Sequence, residues 1–141
     1  LADQLLLFSV DGLSLGIPVE RVEEVLRRHP TTRVPLAPTW VGGLVNLRGS
    51  IVLAVDLRDR LVRPPAAPDA QPMHIVVRTP SGPCSLLCDR IDDVHTVDPS
   101  RRAPVPERLN PQIQALSRGV FPFPDRLVLE LDVDRLIEAT S

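Results

Sequence analysis

Two short patterns recur in the same order along this chain, and the recurrence constrains its fold more than any other feature. Arg21-Val22-Glu23-Glu24-Val25 is answered by Arg90-Ile91-Asp92-Asp93-Val94, each after an apolar strand reached through a glycine turn. Val55-Asp56-Leu57-Arg58-Asp59-Arg60-Leu61 is answered by Leu131-Asp132-Val133-Asp134-Arg135-Leu136: a strand end, an aspartate and a turn that closes on Leu. The separations are 69 positions for the first pair and 75 to 76 for the second, with a proline-rich loop inside each half. This order reads as a duplication: a mainly β chain of two small, pseudo-symmetric β-barrels with about five short strands each. The first barrel is expected in residues 1–63 and the second in 73–141, joined through the proline- and alanine-rich stretch 64–72. A barrel of ~65 residues buries too little surface to be robust alone. The two are therefore expected to pack together as a single domain with a groove between them, the chain ends free to cross over.

Sixteen prolines in 141 residues, clustered between apolar runs, favour short strands over long helices. Residues 4–10 and 13–17 flank Asp11-Gly12 and read as a hairpin. Pro18 is suited to open a helical turn. Residues 22–26 fit either a helix or a strand by periodicity. Their repeat partner contains His95-Thr96-Val97, which suits a strand, and decides for strand in both halves. Val34 is placed in a short strand within the loop 30–38. Residues 74–78, 84–88 and 127–131 read as strands, and 112–121 as one helical turn followed by an extended piece. Asp56 is positioned to cap a turn over 57–61, and Asp132 to cap a last helix over 133–139.

The stretch 40–58 holds the candidate site. Apolar runs 44–47 and 51–55 flank a polar tip, Arg48-Gly49-Ser50, and predict a hairpin. Strand alternation would put Asn46 and Arg48 on one face. A core hairpin does not need an arginine at its tip; a surface that grips another molecule does.

Composition narrows the function. Net charge is −2, with three Phe, one Trp and no Tyr, which disfavours a nucleic-acid or anionic-membrane surface and leaves few platforms for stacking bases. No apolar run approaches the ~20 residues of a membrane span, and residues 1–10 lack the basic flank of a signal peptide. Cys84 and Cys88 fall on one face of a strand, too far apart for a disulfide, and are expected to be buried thiols in a reducing cytoplasm. His29, His74 and His95 show no metal-ligand spacing and are expected at the surface. Neither a cofactor nor a metal is expected. Ser9, Ser14 and Ser81 lack a histidine placed by a motif, Asp92 and Asp93 point to opposite faces, and no glycine-rich phosphate loop occurs. An enzyme and a nucleic-acid-binding barrel are thus both disfavoured.

On these residues the chain resembles CheW-like domains, the coupling proteins of bacterial chemosensory arrays. The resemblance rests on Gly43, Asn46-Leu47-Arg48-Gly49, Val55-Asp56-Leu57-Arg58 and Val22-Glu23-Glu24-Val25. In the second half it rests on Leu87-Cys88-Asp89-Arg90-Ile91-Asp92-Asp93-Val94 and on Leu131-Asp132-Val133-Asp134-Arg135-Leu136. It departs from the family pattern at Cys88, in the long linker 64–72 and over 112–124. The resemblance implies two SH3-like barrels and a non-enzymatic cytoplasmic adaptor. Its partners would be the chemoreceptor cytoplasmic tip, lying against the groove, and the regulatory domain of a CheA-type histidine kinase. Carried onto this sequence, Val22, Glu24 and Arg48 would face the receptor, while Asn46, Gly49, Asp56 and Asp132 would support the structure. The alternatives within the family are a scaffold of a motility or other non-chemotactic pathway, and a regulatory domain of a longer signalling protein.

Overall fold

The structure is a computed structural model that describes residues 3–138. Its strands are β1 (Asp3–Val10), β2 (Leu13–Pro18), β3 (Val22–Leu26), β4 (Val41–Leu47), β5 (Ser50–Asp56), β6 (Met73–Thr79), β7 (Gly82–Cys88), β8 (Arg90–Val97), β9 (Ser117–Pro122) and β10 (Leu127–Leu131). Three short α-helices, α1 (Leu57–Arg60), α2 (Pro111–Leu116) and α3 (Val133–Glu138), and two 3-10 turns, Val19–Arg21 and Pro99–Arg101, complete the set. The fold is mainly β, as the repeat implies.

The strands form two five-stranded sheets, ordered β8-β1-β2-β10-β9 and β3-β6-β7-β5-β4. This corrects the division at the linker. Each sheet takes its central hairpin from one half of the chain and its other three strands from the opposite half. The exchange is reciprocal and the registers match: Leu6 faces Ile17 as Ile75 faces Leu86, and the parallel pairs Glu130–Gly16 and Ala54–Ser85 correspond. The physical reason is that β2 and β7 each need a neighbour on their open edge. The strand before a capped helix, β10 or β5, supplies it from the other half.

Alternation then sorts the core. Leu6, Phe8 and Val10 of β1 join Ile75, Val77 and Leu86 in a large cluster shared by the two sheets. Leu5 and Leu7 turn the other way, into a small cluster with Val97, Phe121 and Val128. Val45, Leu47, Val52, Ala54 and Val76 form the corresponding cluster of the second sheet. Cys84 and Cys88 are free thiols in the shared core, where burial pushes them up to about 11 and about 12.

Four local expectations are corrected. Pro18 ends β2, and the helical turn that follows starts at Val19. The bridge to β4 is made by Thr32 rather than Val34, because Gly43 leaves room for the crossing backbone there. Arg48 lies in the turn, outside the reach of strand alternation. His74 is fully buried, because β6 packs apolar neighbours on both faces. The last helix ends at Glu138; residue 139 lies outside the described residues.

Candidate functional site

Leu47 pairs with Ser50, so Arg48 and Gly49 alone make the turn between β4 and β5. Both have positive φ, 50° and 86°, the pattern of a type I′ turn, which matches the twist of paired strands. Asn46 Oδ1 accepts a hydrogen bond from the Gly49 N–H at 3.0 Å and fixes the turn from beneath. Leu47 and Val45 are buried, anchoring the hairpin in its small core, while Ile51 stays 63 % exposed beside the tip.

β3 and β4 are the two edges of one sheet. Arg48 spans them: its guanidinium donates to both carboxylate oxygens of Glu24 in β3. The arginine side chain remains 74 % exposed, so the pair sits at the surface with its outer face free. That fork holds the Glu24 carboxyl below its ordinary value, and Glu24 in turn raises Arg48. Val22 is half-buried against the shared core, whereas Val25 is 41 % exposed. Burial alternates along β3, half-buried at Val22, Glu24 and Leu26 and exposed at Glu23 and Val25, and this separates the two valines.

Behind the hairpin, residues 29–32 run as a strap across β4. Thr32 and Leu44 exchange both backbone hydrogen bonds at 2.8 and 2.7 Å. Gly43 permits the crossing: its φ is +137°, and a Cβ there would lie 2.5 Å from the Thr32 carbonyl oxygen. His29 Nε2 donates to the Asn46 carbonyl at 3.3 Å, tying the strap to the hairpin. Gly119 and Ala103 repeat the same crossing in the other sheet.

The remaining motif residues hold the frame. Asp56 accepts from the N–H groups of Arg58 and Asp59 and caps α1; burial raises its pKa. Asp132 accepts from the Arg135 N–H and caps α3. Arg58 reaches from α1 to Asp89, with Nη2–Oδ2 at 2.8 Å, while Asp89 also accepts from the Asp11 N–H. Arg63 closes that network on Asp11. The corresponding junction at the other end pairs Arg21 with Asp134, the polarity reversed.

The cavity between the 30–38 loop and the linker measures about 830 Å³ and is lined by Arg33, Asp56, Arg58 and Asp59 among others. Asp56 is engaged in its cap and Arg58 in its pairing with Asp89. Among the described residues, no three His, Cys, Asp or Glu side chains are grouped to hold a metal ion. No helix among them is long and apolar enough to cross a membrane.

The model of CheW-like domains matches residues 4–141. This chain belongs to the CheW-like domain family. Relatives of this CheW-like domain include the chemotaxis protein CheW of Rhizobium meliloti, 29 % identical over 131 residues, with 93 % of this chain and 84 % of that protein covered. CheW of Thermotoga maritima is 29 % identical over 137 residues, covering 96 % and 87 %. Protein FrzA of Myxococcus xanthus is 32 % identical over 106 residues, covering 75 % of this chain and 62 % of that protein. Among solved structures, the scaffolding protein TtCheW of Thermoanaerobacter tengcongensis shares the fold of this CheW-like domain. Its TM-score is 0.85 at 22 % identity, with 100 % of this chain and 97 % of that one covered.

Proposed function

We propose that this CheW-like domain is a non-enzymatic cytoplasmic adaptor. It couples the signalling tip of a chemoreceptor to the regulatory domain of a CheA-type histidine kinase. The observation that carries the reading is the exposed guanidinium of Arg48, held on a rigid turn by Glu24 and Asn46, with Val25 exposed on β3 and Ile51 exposed on β5 next to the turn. A helical receptor tip offers carboxylates, amides and apolar side chains. A planar fork on a fixed turn suits the first two, and Val25, Ile51 and the accessible part of Val22 suit the third. Glu24 adds a charge that sets register and rejects wrong partners. An interface of roughly 1,000 Å² makes a weak contact, so useful affinity comes from many contacts held together in an array.

The test is co-purification of this chain with a receptor-tip fragment and a CheA regulatory domain, repeated with Arg48→Glu. Capture of both partners by the native protein, and loss of the receptor fragment alone by the variant, support the reading. Failure of the native protein to retain either partner rejects it. One other reading is a scaffold of a motility or other non-chemotactic pathway. Retention of a kinase domain without any chemoreceptor fragment would select it.

A further inference from the structure

One pair of interior positions is apolar in the first sheet and polar in the second. In the first sheet these are Leu5 and Gly16, apolar and tightly filled: a Cβ on Gly16 would meet Leu5 and Leu7 at 3.3 and 3.2 Å. In the second they are His74 and Ser85, both fully buried. The registers establish the equivalence, since Leu5 pairs with Pro18 and Leu7 with Gly16 as His74 pairs with Leu87 and Val76 with Ser85. The fold therefore does not require a polar pair at this place. Burying one has a cost unless it is fully hydrogen-bonded.

It is bonded, and to the strap. His74 Nε2 lies 3.0 Å from the His29 carbonyl oxygen, which only accepts, so Nε2 carries the proton. Nδ1 then accepts from the Ser85 hydroxyl at 2.9 Å. Thr31 Oγ1 stands 3.4 Å from Nε2. From the same strap, the His29 ring reaches the Asn46 carbonyl beneath the Arg48 turn. A continuous path thus runs from the floor of the sheet, through His74 and the strap, to the hairpin.

We infer that His74 is a positioning residue: as a neutral imidazole it latches the strap to the sheet floor and so fixes the hairpin that presents Arg48, and its protonation loosens that latch. The positioning part rests on the partner-facing reading of Arg48. Burial, first, and the neighbouring His29 lower the His74 pKa from 6.5, against the His29 carbonyl, which raises it. An unfolded or strap-open chain consequently takes up a proton that the latched form resists. The latch is at full strength above about pH 6.5 and weakens as pH falls below it.

The titratable surroundings are few. The His29 ring stands edge-on to His74 at 5.8 Å. Glu24 of β3 feels both His29 and Arg48. Glu23 of β3 is exposed, and Arg78 at the far end of β6 bonds the Glu20 carbonyl. Cys84 and Cys88 of β7 face the shared core on the opposite side of the sheet. None supplies a counter-charge against a protonated His74.

Amide hydrogen exchange on the full chain tests the latch, read at Thr32 and Leu44 against Ile75 and Leu86, with the intrinsic pH dependence of exchange divided out. Between about pH 7.5 and about pH 5.5 the native strap should lose protection several-fold relative to the core. His74→Leu, which copies the Leu5 arrangement, should exchange about three- to tenfold faster at the strap at the higher pH and lose the pH dependence. His74→Gln, a donor that does not titrate, should keep protection and lose the pH dependence. Equal strap protection in native and His74→Leu proteins, or a pH slope that persists in either variant, overturns the proposal. Should His74→Leu fail to fold, the native pH series and His74→Gln decide. This readout needs no partner, so its failure is distinct from a failure of Arg48 to bind one.

Discussion

Arg48 and Glu24 stand on opposite edges of the same five-stranded sheet, and the guanidinium of one grips both oxygens of the other. The pair therefore does two things at once: it joins the sheet edges and it fixes a surface cation. Most of the arginine is still solvent-exposed, so the fork has capacity left for a partner.

Reversing charge separates those roles. Arg48→Glu should leave the far-ultraviolet circular dichroism spectrum unchanged and weaken capture of a receptor-tip fragment about tenfold or more. The exchanged double variant Arg48→Glu/Glu24→Arg restores an ion pair across the edges but inverts the surface. Full recovery of binding by that double variant would show that edge closure, not the exposed cation, is what the partner needs.

Acid should break the same pair in a defined direction. The Glu24 carboxyl is held below its ordinary value of 4.5, chiefly by its hydrogen bonds to Arg48. The unfolded chain takes up protons first, so the pair's contribution is complete above about pH 4.5 and is lost as pH falls through the lower folded value. Proton-detected titration of the Glu24 carboxyl in native and Arg48→Ala proteins should show an upward shift in the variant; identical titration curves would contradict the pairing.

Val22 and Ile51 should respond oppositely to truncation. Val22 packs against the shared core, so Val22→Ala should cost about 1 kcal/mol in denaturant unfolding. Ile51 is 63 % exposed, so Ile51→Ser should change stability by no more than about 0.5 kcal/mol while reducing receptor-tip capture. Loss of stability at Ile51 with unchanged capture would remove it from the proposed docking surface.

Gly43 is intolerant of any side chain. With φ at +137° and a Cβ position 2.5 Å from both Thr31 Cγ2 and the Thr32 carbonyl oxygen, Gly43→Ala must displace the strap. A loss of about 2 kcal/mol or more in unfolding free energy is expected. Gly119→Ala, where the neighbours are Arg102 and the Ala103 carbonyl, should behave alike in the other sheet. Gly12→Ala, with nothing within 4 Å of its Cβ, is the control for backbone strain alone.

Much of this was legible before the coordinates. The Asp11-Gly12 and Arg48-Gly49 turns, the two capping aspartates and the strand over Val22–Leu26 all announce themselves through local chemistry or through the repeat. The membership of each sheet did not. It depends on the parallel pairings of β2 with β10 and β5 with β7, between segments far apart in sequence, and alternation within a strand says nothing about which neighbour it finds. His74 was misjudged for a related reason. β6 runs His74-Ile75-Val76-Val77 with both faces buried, so it has no polar side from which to read the direction of the imidazole. The exposure of Val25 follows from the strand reading of Val22–Leu26, since burial alternates along β3 with a two-residue period.

The trading of strands between the sheets has a consequence for how such a chain came to be and how it could be taken apart. Neither the stretch before the linker nor the stretch after it contains a complete sheet, so each, expressed by itself, would leave a hairpin without its flanks. Expressed together, the two pieces would be each other's missing template. A protein built this way has the form of a strand-exchanged dimer carried on a single polypeptide, with residues 64–72 as the leash that keeps the two pieces together.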